Sequence, residues 1–246
     1  DVVADEPVAP TTQRAIFGFG YGASGLSGAT NLVNSSGVVA TDTSAVGTAR
    51  SNLAAAGYGG DKAIFGFGES TGQDGMTNLV NNSGVVASDV SAVGTARTGL
   101  AAASYGGDKA IFAYGNTGSL VNTRNLVSNS GVVASDASGV GTARKHLAAA
   151  SYGGLAAGTA IFAYGATSSY LSISNLLNNV GVIGADVTGV GTIRNFLGAA
   201  GYGGDKAIFG YGDASGVLSM TNLVNSSGVV GSDVTGVGMA RWGLAA

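Results

Sequence analysis

One unit of about 48 residues, written five times in succession, constrains this chain more than anything else in it. An Ala-Ile-Phe triplet places its Phe at 17, 65, 112, 162 and 209. An Asn-Leu-Val or Asn-Leu-Leu triplet places its Asn at 31, 78, 125, 175 and 222, and an Arg closes the units at 50, 97, 144, 194 and 241. Asn and Arg are 19 residues apart in all five units, and Phe and Asn are 13 apart in four and 14 in the first. The Arg-to-Phe distance changes only before Phe162, from 15 residues to 18, where Tyr-Gly-Gly-Leu-Ala-Ala-Gly-Thr replaces Tyr-Gly-Gly-Asp-Lys. Insertions confined to two places mark loops. The repeat covers residues 15–246; residues 1–14 are acidic, carry both prolines and read as a linker attached to something upstream.

Within a unit the pattern is strand-like. After Arg97 an apolar stretch from Leu100 to Tyr105 meets a Gly106-Gly107-Asp108 turn and a second apolar stretch from Ala110 to Tyr114, which is a hairpin signal. A polar, variable loop follows, and then Asn125–Val127 and Val132–Ala134 flank a Ser-Asn-Ser-Gly turn as a second hairpin. A helical-hairpin solenoid is the runner-up, but the Leu-Ala-Ala-Ala stretches are flanked by glycines and lack caps.

Four short antiparallel strands per unit lead to the expectation of an all-β fold, a five-bladed β-propeller with four strands in each blade. Blade count follows repeat count unless two chains share a larger ring. The 44 glycines and the many alanines suit inner strands that crowd together. Trp242–Ala246 is expected to pair with Ala15–Gly20 and close the ring, removing free edges.

The span from Ala49 to Arg97, ARSNLAAAGYGGDKAIFGFG followed by TNLVNNSGVVASDVSAVGTAR, resembles the kelch repeat in order: Arg, first strand, glycine-rich turn, second strand ending near glycines, variable loop, third and fourth strands. The resemblance covers residues 15–246 and implies the propeller. GFG or AYG stands where kelch has adjacent glycines, and the spaced Tyr and Trp of its later strands are missing, so the chain is kelch-like. The Gly/Ala-rich texture also resembles repeat segments of phage and environmental-virus structural proteins.

Composition removes several chemistries. No cysteine is present, so no disulfide, thiol nucleophile or thiolate metal site can form, and His146 alone cannot supply paired imidazoles. The copper site of galactose oxidase, an enzyme with kelch-like blades, needs a Cys-linked Tyr and two His. Eleven basic and fourteen acidic residues are spread along the chain, with no basic stripe for nucleic acid. No apolar run approaches the roughly 20 residues that span a bilayer, so membrane insertion is not expected. His146 follows Lys145 without an obvious acid partner, and Glu69, Asp74 and Asp213 are acids in polar loops without a defined pair. No cofactor and no catalytic activity are expected.

The variable residues gather on one rim: the loops between second and third strands, and the residues just after each Arg, such as Lys145-His146, Asn195-Phe196 and Trp242-Gly243. Tyr21, His146, Tyr170, Phe196 and Trp242 are the ligand-binding candidates there, against the alternative of neutral drift in exposed loops. Asp42, Asp89, Asp136, Asp186 and Asp233 precede Arg50, Arg97, Arg144, Arg194 and Arg241 by eight residues. These pairs read as ion pairs tying links or neighbouring blades, with an anion-binding ring of guanidinium groups as the alternative. The repeated asparagines read as turn caps, and Tyr58, Tyr105, Tyr152 and Tyr202 as inter-blade packing. The resulting expectation is a non-enzymatic structural or adhesion module, extracellular or on a virion surface, whose rim binds a receptor, a glycan or a neighbouring subunit. A soluble multivalent lectin is the alternative.

Overall fold

The computed structural model describes residues 15–245, with the side chains of 155 and 156 left aside; the expected linker at 1–14 lies outside the described residues. The all-β expectation holds. Strands β1 (Ala15–Gly22) and β2 (Gly25–Val33) form a two-stranded antiparallel sheet. Four three-stranded sheets follow: β3 (Ala54–Tyr58), β4 (Lys62–Gly66) and β5 (Thr77–Val80); β6 (Ala101–Tyr105), β7 (Lys109–Ala113) and β8 (Arg124–Val127); β9 (Ala148–Tyr152), β10 (Thr159–Ala163) and β11 (Ser174–Leu177); β12 (Gly198–Tyr202), β13 (Lys206–Asp213) and β14 (Val217–Val224). The longer link of the fourth unit holds a single helical turn, α1 (Gly154–Ala157).

The first hairpin forms as the sequence suggests, with Tyr105 opposite Lys109 and Ala101 opposite Ala113 across the glycine turn. The fourth strand does not form. Beyond β8 the returning chain meets it at two isolated bridges, Val127 with Val133 and Arg124 with Ala137, and at one bond between them from Ala134 N–H to the Leu126 carbonyl at 2.8 Å. Two residues on one side face three on the other between those bridges, so the ladder slips by a residue. A side chain causes the slip: Asn125 Nδ2 donates to the Ala134 carbonyl at 3.0 Å and to Asp136 Oδ1 at 2.9 Å, competing with backbone pairing. The five sheets are therefore small and separate. They do not make a five-bladed propeller with four-stranded blades, and the expected closure is absent as well. No backbone hydrogen bond among the described residues joins Trp242–Ala245 to β1; Gly243 N–H instead donates to the Phe196 carbonyl.

Buried arginines hold neighbouring sheets together. Arg97 is fully buried between the second and third sheets. Its guanidinium lies 4.0 Å from the Phe67 ring centroid on one side. On the other, its Nε donates to the Tyr114 carbonyl at 3.0 Å and its Nη2 to Asn125 Oδ1 at 2.7 Å. The ring beneath each arginine stands on a residue with positive φ: Phe19, Phe67, Tyr114, Tyr164 and Tyr211. Burial pushes the Arg97 pKa down to about 10, against the field of Asp136, so the group remains a cation at neutral pH.

The acid that faces each arginine belongs to the following unit rather than its own. Arg50 lies 3.7 Å from Asp89, Arg97 3.9 Å from Asp136 and Arg194 3.9 Å from Asp233. None of these is a bidentate fork. Asp136 instead accepts from Thr95 N–H at 2.9 Å and Thr95 Oγ1 at 2.6 Å, which ties the approach to Arg97 across the junction. Burial alone would raise the Asp136 carboxyl. Hydrogen bonds from Thr95 and Asn125, with the field of Arg97, outweigh that and hold it below the usual range. Asp186 accepts from Thr142 and Asn175 in the same way, whereas Asp42 is held by Asn31. Arg241 is exposed and donates only to the Met239 carbonyl.

Arg97→Ala strands a buried Asn amide oxygen and a carbonyl, and is expected to cost at least about 3 kcal/mol. Arg241→Ala is expected to stay within about 0.5 kcal/mol of the parent, as surface changes do. Urea unfolding of both variants measures the contrast, and equal losses would show that the junction does not carry the stability. Gly94→Ala should fall on the costly side too, because its φ is +94° and a Cβ there would land on the Asp136 carboxylate.

Candidate functional site

Two residues after each arginine the chain turns through a left-handed conformation, at Asn52, Gly99, His146, Phe196 and Gly243, with φ of 50°, 64°, 54°, 50° and 69°. Gly99 N–H donates to the Asn52 carbonyl, His146 to Gly99, Phe196 to His146, and Gly243 to Phe196, all at 2.8–3.0 Å. This line of backbone bonds sets equivalent residues of successive units side by side. It also forms part of the wall of a cavity of about 750 Å³, to which β1 and the starts of β3, β6, β9 and β12 contribute.

The side chains on that line are not equivalent. The His146 ring stacks on Phe196 with centroids 3.9 Å apart and 23° between planes, and Phe196 meets Trp242 at 5.2 Å and 51°. Of the three rings only His146 and Phe196 occupy the left-handed position itself; glycine fills it at 99 and at 243, where Trp242 is the residue before. Left-handed φ costs a β-carbon-bearing residue of order 1 kcal/mol or more, so folding alone favours glycine here. The rings therefore need another reason to be present.

His146 is half-buried, and burial, with Lys145 beside it, pushes its pKa from the usual 6.5 down to about 4. The imidazole is thus neutral at physiological pH and packs as an aromatic face. Trp242 stays 57 % exposed, so the row of rings ends on an open indole. Polar groups stand near the same line: Asn52 Nδ2 donates to Glu69 Oε1 at 2.7 Å, and Ser51 pairs with Glu69 through the backbone. That pairing brings a post-arginine residue and a variable loop together, as read from the repeat order.

Of the five ligand candidates, the structure gathers His146, Phe196 and Trp242. Tyr170 instead donates its hydroxyl to Asp213 Oδ2 at 2.8 Å, linking the loops of adjacent units, and that bond raises its pKa. Tyr21, 78 % exposed near the end of the β1–β2 hairpin, lines the same cavity without joining the row of rings. The sequence reading missed that a backbone hydrogen-bond row aligns the rings, and the only signal for it was the constant two-residue offset from arginine. It also passed over a second cavity, of about 410 Å³, lined by Ser104, Tyr105, Ser151, Tyr152, Tyr202 and Lys206 among others at the glycine-turn ends of the strands. Tyr105 and Tyr152 are buried there, as Tyr58 is outside that cavity, whereas Tyr202 is exposed.

No protein-family model and no curated protein matches the sequence. The kelch resemblance thus rests on residue order alone. Among solved structures, the chain is similar to one described as a novel fungal alcohol oxidase of the AA5 family in complex with copper, with a TM-score of 0.57 and 11% identity. The match covers 96% of this chain and 66% of that one, so the chain spans just under two thirds of the oxidase's length. At that identity the likeness is one of fold. The expectation of a chain without catalytic activity is accordingly withdrawn, since a protein of this fold is an oxidase.

The copper of that protein does not fit the residues here. The chain has no cysteine and one histidine, whose ring is stacked on Phe196, and among the described residues no group of three His, Asp or Glu side chains comes together.

The depressed His146 pKa has a sign that can be checked. Between about 4 and 6.5 the unfolded chain takes up a proton that the folded chain refuses, so stability is complete above 6.5 and falls as pH drops through this window. An NMR titration of the His146 ring should show a midpoint near 4, and His146→Asn should flatten the stability profile across the same window. A midpoint near 6.5 would mean that the ring is not packed as described.

Proposed function

We propose that the His146–Phe196–Trp242 row and the adjoining cavity form a carbohydrate-binding site. The chain would then act as a glycan-recognition module in an exposed setting, extracellular or on a particle surface. One observation carries the reading: His146 and Phe196 stand in contact at a left-handed position that glycine fills at 99 and 243, and Trp242, the residue before Gly243, extends the row to a third successive unit, on the edge of a cavity of about 750 Å³. Flat apolar faces complement the C–H faces of a sugar ring, and an aromatic anchor offers large contact area at small entropic cost.

Asn52, which lines the same cavity, and Lys145, next to His146, supply donors and acceptors for hydroxyl groups, as ligand sites combine an apolar floor with few polar contacts. Because the rings are not repeated in every unit, the reading is of one composite site per chain. The alternative of several equivalent weak sites gains nothing from this geometry, since Asn52 and Gly99 carry no ring at the same position.

Binding to a glycan array followed by calorimetric titration tests the proposal, with a stoichiometry of one expected. Trp242→Ala should weaken binding by roughly tenfold or more, as loss of a central aromatic anchor does. Tyr170→Phe, on a loop outside that cavity, should leave it unchanged. Mass spectrometry of the same mixtures reports any turnover of the sugar. Absence of binding across the array, or equal binding by the Trp242 variant, would reject the site.

A further inference from the structure

The first sheet differs from the other four. β4, β7, β10 and β13 each have an inner strand on one side, β3, β6, β9 and β12, and a third strand on the other. β1 pairs with β2 from Ala15 opposite Val33 to Gly22 opposite Gly25, and among the described residues has no strand on its other edge. Two further observations point to the same place. Phe17 is 47 % exposed, while its counterparts Phe65, Phe112, Phe162 and Phe209 are at most 4 % exposed. On the facing side, Ala55 of β3, which lies opposite Phe65 on the face toward the first sheet, is exposed, whereas its counterparts Ala102, Ala149 and Ala199 are half-buried. Both the edge of β1 and the flank of β3 thus lack the neighbour that the later units have.

The backbone of that edge has a defined register. Phe67 N–H donates to Met76 on the β5 side, and strand groups alternate sides, so Ile64 and Gly66 face β3. By the same alternation, Ile16 and Gly18 present their N–H and C=O groups to the open edge of β1. A strand placed there must have small side chains, because inner strands approach closely: Ser104 Oγ reaches the Gly57 carbonyl at 2.9 Å and Ser151 Oγ reaches Ser104 at 2.8 Å. In this structure Trp242–Ala245 does not take the place, since Gly243 is hydrogen-bonded to Phe196.

We propose that the open edge of β1 accepts an extended segment of the repeat's own inner-strand type, Leu-Ala-Ala-Ala-Ser-Tyr, supplied by another polypeptide. Such addition of a strand in trans is a recurring mode of peptide recognition, with main-chain bonds giving affinity and side-chain fit giving selectivity. The bound segment would sit opposite β1 in the register that β6 takes on β7, with its second alanine across from Phe17 as Ala102 is across from Phe112. Its small side chains would cover Ala55.

The test uses the full chain and a fluorescein-labelled peptide with the sequence of Arg97–Gly107, RTGLAAASYGG, alongside a peptide of the same residues in reversed order. Anisotropy should report saturable binding of the first peptide and at least roughly tenfold weaker binding of the second. In the unmodified protein, the peptide should slow amide exchange at Ile16 and Gly18 and leave Phe19 unaffected. Ile16→Pro, which removes an edge donor, should abolish binding while circular dichroism remains that of the parent. No binding by the parent, equal binding of both peptides, or exchange unchanged at Ile16 and Gly18 would overturn the proposal; the exchange readout serves if the proline variant does not fold. Ile16 and Gly18 line the same cavity as His146 and Phe196, so Trp242→Ala separates the two proposals: it should weaken glycan binding and leave peptide binding unchanged.

Discussion

The buried arginine between adjacent sheets is the interaction on which the rest of this architecture depends. Small sheets of two or three strands have little apolar surface, and alanine and glycine supply less of it than larger residues would. A guanidinium solves a joining problem that a methylene chain cannot. It lies flat over an aromatic ring of one sheet and sends fixed, divergent donors to a carbonyl and an amide oxygen of the next. Lysine, with one point charge, could not make the stack and both directed bonds together. The neighbouring Asp lies too far for a direct bond and acts through Asn and Thr, so the junction is a network rather than an isolated pair.

That junction also places the candidate site. With the arginine anchored, the next two residues have little freedom, and the chain turns through positive φ at a fixed distance from the sheet seam. Successive turns bond to one another through the backbone, which leaves their side chains free of any duty in holding the fold. Asn, Gly, His, Phe and Gly can therefore occupy equivalent positions. Two of the units bring rings to this line and a third brings Trp242 beside it, and backbone alignment sets these rings in contact. The aromatic residues under the arginines show the contrast: they too have positive φ, but there the ring is required by the stack.

A shared fold with a copper-bound oxidase underlines that the arrangement of strands does not specify chemistry. What a site does follows from the donors it holds, and here these are stacked rings, an amide, a carboxylate and a neutral imidazole. Hairpins were legible in the sequence because local alternation and the Gly-Gly-Asp turn act over a few residues. The missing fourth strand was not, since Val132–Ala134 has strand-like residues and only the reach of Asn125 to Ala134 and Asp136 breaks the ladder. Asn125 read locally as a turn cap, and part of its role is that; its acceptance of a bond from Arg97 lies outside any local pattern.

By itself the sequence determined five units, the hairpin in each, the positions of their loops and the residues that could carry a site. Those features follow from steric and hydrogen-bonding preferences within a few residues of each other. The tertiary structure decided which acid faces which arginine, and it chose the following unit, 39 residues on for Arg97, over the acid eight residues before it. It also decided that His146, Phe196 and Trp242 touch while Tyr170 turns to Asp213, and that β1 keeps an open edge among the described residues. These outcomes depend on how one sheet packs against the next, across separations at which local preference has no influence and the geometry of the buried guanidinium does.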